Sequence, residues 1–103
     1  MTQNIKFLTE GTVTTPKGFA AGATFAGTKT HGAEKLDLGL IYSSIPSAAA
    51  GVFTTNRVKS PSVVFDQKLL QGRPMRGVVV TSGIANTCVG DQGYKDAQEM
   101  AVL

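Results

Sequence analysis

Arg76–Gly77–Val78–Val79–Val80–Thr81, running straight into Ser82–Gly83–Ile84–Ala85–Asn86–Thr87–Cys88–Val89–Gly90, decides how this chain is read. The continuous β-branched run is the pattern of a strand buried on both faces, and the small and polar residues after it make a turn. Asp91–Gln92–Gly93–Tyr94 then opens a segment whose apolar residues Tyr94, Ala97, Met100 and Ala101 recur at helical spacing, with Asp91 placed to cap the first N–H groups. Strand, turn and helix in this order put a candidate site at the carboxyl end of the strand, where ligands of α/β folds collect. Ser82, Gly83 and Asn86 are the candidate site-wall residues. Gly83 permits a close backbone approach, and the Asn86 amide can serve either a ligand or its own loop as an Asx-turn.

Working outward, Leu36–Asp37–Leu38–Gly39–Leu40–Ile41–Tyr42–Ser43 alternates and then turns continuously apolar, which predicts a second strand. Ile45–Pro46 predicts a turn over Ser43–Ser47, with Ala48 to Thr55 returning as an antiparallel neighbour. Ser62–Val63–Val64–Phe65 reads as a further strand, and Asp66 as the cap of a short helix through Leu69–Leu70 stopped by Gly72 and Pro74. Thr12 to Phe19 reads as a short extended edge piece entering a turn. Ala20 to Gly32 reads as small residues allowing close packing, since its glycines lack phosphate-loop spacing. The expected core is Val52, Phe53, Val63, Val64, Phe65, Leu69, Leu70 and Val78 to Val80. The fold class expected is α/β of the α+β type, a mixed or mainly antiparallel sheet covered by helices and incomplete as a stand-alone domain.

The same central stretch carries a resemblance. Thr81–Ser82–Gly83–Ile84–Ala85–Asn86–Thr87–Cys88–Val89–Gly90–Asp91–Gln92–Gly93 resembles the Asn-Ser-Gly-Asn-Ala-Asn-Ala-Cys-Thr-Gly-(Glu/Asp)-Gln-Gly signature of the ornithine acetyltransferases, also called bifunctional glutamate N-acetyltransferases. Val13–Thr14–Thr15–Pro16–Lys17–Gly18–Phe19 and Ala48–Ala49–Ala50–Gly51–Val52–Phe53–Thr54–Thr55–Asn56–Arg57–Val58–Lys59 are similar to the same family, in the same order. Thr81 and Ile84 stand where the signature has Asn, so no polar role passes to them. The resemblance implies acetyl transfer from N-acetylornithine, or from acetyl-CoA, to glutamate in arginine biosynthesis, with no metal or redox cofactor. It further implies a precursor that cleaves itself before a threonine nucleophile, and a heterotetramer of two alpha and two beta chains. The nucleophile, its Thr-Gly oxyanion pair and a substrate-binding lysine belong downstream of the matched blocks, so no catalytic residue is assigned here. Residues 1–103 are then a single domain or the N-terminal fragment of a larger alpha chain, partnered by the rest of that chain and by the beta chain.

Composition narrows the alternatives. The 103 residues suffice for one small domain, with 42% hydrophobic and 17% charged residues. Ten basic and seven acidic residues leave a net charge of +3 with the basic residues scattered singly. That pattern lacks the stripe expected of a nucleic-acid binder. No stretch approaches the ~20 apolar residues of a membrane span, and the first ten residues are too weakly apolar for a signal peptide and too poor in Arg for a transit peptide. Cytoplasm is the default compartment. The single His31 and single Cys88 could be written with Asp37 or Asp91 as a hydrolase dyad or triad, but their Gly-rich and small-residue settings suit a loop and a buried thiol. One His and one Cys also cannot close a zinc site. The alternative to an acetyltransferase piece is a stand-alone scaffold or interaction domain.

Overall fold

The computed structural model describes residues 4–28, 35–86 and 90–102. Strands β1 (Phe19–Thr24), β2 (Leu38–Ser47) and β3 (Met75–Thr81) form one antiparallel sheet in the order β1-β2-β3, and helices α1 (Pro61–Leu69) and α2 (Gly90–Val102) pack on each other. This is the α+β class expected from the sequence.

The sheet is assembled around β2. Leu38 stands opposite Thr24 on one side and Thr81 on the other, and the register continues to Tyr42, opposite Ala20 and Gly77. β1 is a correction to the reading of Ala20 onwards as packing filler. Its Ala and Gly residues have weak strand preference, and the ladder to β2 supplies the stability that the side chains do not. The extended segment begins at Phe19 rather than Thr12, because the Thr12, Thr14 and Thr15 hydroxyls bond within their own turn.

β2 runs on through the expected Ser43–Ser47 turn, with an irregularity between Tyr42 and Ser47. Pro46, which has no N–H to offer a ladder, is accommodated where pairing is broken. Arg76 holds this break: its guanidinium donates to the Tyr42 hydroxyl at 2.5 Å and the Ser44 carbonyl at 2.6 Å, and lies 5.1 Å from the Tyr42 ring centre. The buried Ser43 hydroxyl donates to the Ile45 carbonyl at 2.7 Å. Ala48 to Thr55 does not form the expected return strand. Downstream, Asn56 and Val58 give their N–H groups to the Thr54 hydroxyl and the Asn56 side chain, local bonds that compete with a ladder.

α1 replaces the strand expected at Ser62–Phe65. Ser60 is the cap, its hydroxyl accepting from the Val63 N–H at 3.3 Å, and Pro61 sits in the first turn, where its missing N–H costs nothing. Asp66 is therefore inside the helix and not at its start; desolvation by its neighbours there raises its carboxyl pKa although the residue is exposed overall. α2 begins at Gly90, one residue before the expected cap, and Asp91 lies within the first turn, where a negative charge meets the helix dipole favourably. Gly93 and Ala97, one turn apart, are the buried residues of α2. Phe65 meets Tyr94 edge to face with ring centres 5.9 Å apart, and the Lys68 ammonium lies 4.8 Å from the Tyr94 centre.

The expected core is not closed among the described residues. Val52 is 99% exposed, and Val78, Val79 and Val80 are 41–56% exposed, so β3 is not buried on both faces. Among the described residues β3 is an edge strand whose two apolar faces are left open. Among the described residues no side chain is fully buried, and the radius of gyration of 16.2 Å exceeds the ~13 Å usual for a compact domain of about this length.

Candidate functional site

The turn after β3 is held from two sides. On the sheet side, the Ser82 N–H donates to the Asp37 carbonyl at 2.9 Å, which carries the β2–β3 pairing one step past the strands. The Asp37 carboxylate, just before β2, accepts the N–H groups of Ala26 at 2.6 Å, Gly27 at 3.1 Å and Thr28 at 2.9 Å, together with the Thr28 hydroxyl at 3.0 Å. The Thr28 hydroxyl also lies 2.5 Å from the Ser82 carbonyl. Three strand ends therefore meet at one residue, Asp37: its carboxylate takes the exit of β1, it stands at the entry of β2, and its backbone carbonyl takes the exit of β3.

On the helix side, Asn86 is half-buried. Its amide donates to the Gly93 carbonyl in the first turns of α2 at 2.9 Å and approaches the Ser62 hydroxyl of α1 at 3.4 Å. Ser82 and Gly83 are exposed, and Gly83 takes φ 118°, a conformation that favours glycine. The structure thus separates the three candidate residues by environment: Ser82 and Gly83 form the open lip of the turn, and Asn86 is tied to the helix pair. The Asn86 bonds reach α1 and α2, unlike the Asx-turn considered from sequence. His31 and Cys88 lie outside the described residues, so the dyad does too.

Asp37 and Thr28 were not singled out as partners of the turn by the sequence. An acidic residue between Leu36 and Leu38 at a strand start was the available signal, but what the carboxylate binds lies some ten residues upstream. The four hydrogen bonds, led by that from Ala26, hold the Asp37 carboxyl pKa below its usual 3.8 against an opposing desolvation. A lowered folded-state value means that these bonds favour the folded form at pH above the unfolded value. Their contribution is lost as pH falls through the folded value. An NMR titration of the Asp37 carboxyl carbon in the full-length protein should give a midpoint below 3.8; a midpoint at or above it would show that the four bonds do not persist in solution.

Among the described residues no three His, Cys, Asp or Glu side chains gather as a metal site would require. No described helix is long and apolar enough to cross a membrane. A shallow hollow of about 410 Å³ lined by residues from Lys6 to Gly11 and by Thr15 shares no residue with the β3 turn.

An antiparallel sheet with its helix pair, and a Gly-containing turn clamped at the carboxyl end of β3, define an α+β protein. Comparison with known proteins gives the family: the sequence model of the ArgJ family matches residues 20–103, and the chain belongs to that family. It is 44% identical over 100 residues to the arginine biosynthesis bifunctional protein ArgJ of Dehalococcoides mccartyi, covering 97% of this chain and 25% of that protein. The Fusarium vanettenii protein named as mitochondrial ArgJ is 45% identical over 100 residues, covering 94% of this chain and 22% of its own length. Among solved structures, the fold matches the ornithine acetyltransferase of Mycobacterium tuberculosis complexed with ornithine, at a TM-score of 0.78 and 42% identity over 84% of this chain and 45% of that one. ArgJ of Bacillus halodurans matches at a TM-score of 0.78 and 36% identity over 87% of this chain and 46% of that one. The chain therefore spans about a quarter of the length of the curated relatives it matches.

Proposed function

We propose that this chain is the N-terminal part of an acetyltransferase that moves the acetyl group of N-acetylornithine to glutamate, with acetyl-CoA as a further donor. The observation that carries the reading is membership of the ArgJ family over residues 20–103, together with the ornithine bound by the Mycobacterium tuberculosis relative. In this reading the chain supplies a sheet and one wall of the site, the Ser82–Gly83 turn, with Asn86 beside it. The reacting groups lie on polypeptide outside it. A threonine hydroxyl, freed by self-cleavage of the precursor, attacks the acetyl carbonyl while its own amine takes the proton. Ornithine leaves, and the amine of glutamate then takes the acetyl group from the threonine ester. Backbone and side-chain donors of a Thr-Gly pair stabilise the oxyanion of each tetrahedral intermediate. No metal or redox cofactor takes part in this scheme. Two alpha and two beta chains form the working assembly, and the cytoplasm is its compartment.

The open faces of β3 support an incomplete unit over a scaffold domain complete in itself. The full-length protein, given N-acetylornithine and glutamate, should yield ornithine and N-acetylglutamate in equal amounts. Ornithine with free acetate and no N-acetylglutamate would make the enzyme a hydrolase, and no ornithine at all would remove the reading.

A further inference from the structure

The bonds around Ser82 have a geometric consequence. The peptide unit joining Ser82 to Gly83 is planar and trans, so its C=O and the following N–H point in opposite directions. The Thr28 hydroxyl binds the Ser82 carbonyl, so the Gly83 N–H of that unit is turned away from Thr28 and Asp37. The Ser82 N–H, on the preceding peptide, is occupied by the Asp37 carbonyl. Gly83 is exposed, and among the described residues nothing accepts a hydrogen bond from its N–H. A donor left in that state beside a flexible glycine would wander unless its peptide were fixed, and the Thr28 hydroxyl fixes it. Thr28 is in turn fixed: the Asp37 carboxylate takes both its N–H and its hydroxyl contact, at 2.9 Å and 3.0 Å. A hydroxyl has one proton, so with that proton on Asp37 the Ser82 contact lapses; with it on the Ser82 carbonyl, the N–H of Thr28 still anchors it to the carboxylate.

We propose that Thr28, anchored by Asp37, is a positioning residue that aims the Gly83 N–H at an α-carboxylate oxygen of the bound N-acyl amino acid, a group that ornithine shares. This rests on the proposed acetyltransferase function and on the β3 turn forming a wall of its site. The donor contributes only if it is aimed before substrate arrives, since a preoriented N–H has no reorganisation to undergo.

The test uses the full-length enzyme and ornithine as the probe. With ¹⁵N-glycine labelling, the Gly83 amide signal should shift on addition of ornithine. Thr28→Val, which keeps the shape and the N–H anchor but removes the hydroxyl, should lower kcat/KM about tenfold with the melting temperature unchanged, the weight of a misaimed hydrogen bond. Thr28→Ser should restore it. A Gly83 signal that shifts with ornithine, combined with a Thr28→Val enzyme of normal kcat/KM, overturns the positioning role and leaves the site wall in place. A Gly83 signal that does not move at saturating ornithine, in an enzyme that turns over, shows the turn to lie outside the site and overturns both. A loss in Thr28→Val that follows only the fraction of protein folded, and that Thr28→Ser does not repair, reduces Thr28 to a structural residue and also overturns the proposal.

Discussion

Residues 1–103 purified alone are expected to release no ornithine from N-acetylornithine and glutamate above the uncatalysed rate, and to self-associate. The catalytic half of that expectation follows from the proposed reaction, whose nucleophile and oxyanion donors stand on other polypeptide. The physical half follows from the sheet. Leu40 and Val79, opposite each other on one face, are 46% and 41% exposed, and Val78 and Val80 on the other face are 56% and 53% exposed. Apolar area left in water contributes roughly 25 cal/mol per Å² toward association once a partner covers it. An exposed edge strand of this kind is also a template for pairing. Adding the remaining polypeptide of the full-length protein should suppress the association and raise the melting temperature. Sedimentation of a strict monomer that melts cooperatively and ignores that polypeptide would count against the incomplete unit, and robust turnover by residues 1–103 would relocate the chemistry into this chain.

Asn86→Ala in the full-length enzyme is expected to lower stability by about 1–3 kcal/mol, the range for a half-buried partner left without its hydrogen bond. The amide joins the loop before α2 to the Gly93 carbonyl, and through the Ser62 hydroxyl reaches the first turn of α1. Removing it frees the start of α2 from α1, next to the Phe65–Tyr94 contact. Urea denaturation measures the loss, and kcat/KM per folded molecule separates the two roles considered for this residue. A stability loss with normal kcat/KM assigns Asn86 to the framework. Unchanged stability with reduced kcat/KM would place its amide on the substrate and reverse the expectation.

Local chemistry determined much of this protein from sequence. The β-branched run of β3, the helical spacing of α2 and the turn between them are short-range patterns, and the family is written in residues 81–93 read in order. Where the sequence reading went astray, the deciding partner was distant. Phe19–Thr24 is a strand because β2 offers it a ladder, although its own residues favour none. Ser62–Val63–Val64–Phe65 has strand composition, yet the Ser60 cap and Pro61 start a helix that α2 then supports by packing, so tertiary contact overrode propensity. β2 passes through Ile45–Pro46 because Arg76, more than thirty residues away, binds the Ser44 carbonyl and Tyr42. The clamp on the Ser82–Gly83 turn is the clearest case. Asp37, Thr28 and Ser82 are separated by nine and by fifty-four residues along the chain from Thr28. No periodicity links them, and only the pairing of three strands brings Asp37, through its carboxylate and its backbone carbonyl, within reach of the ends that it joins.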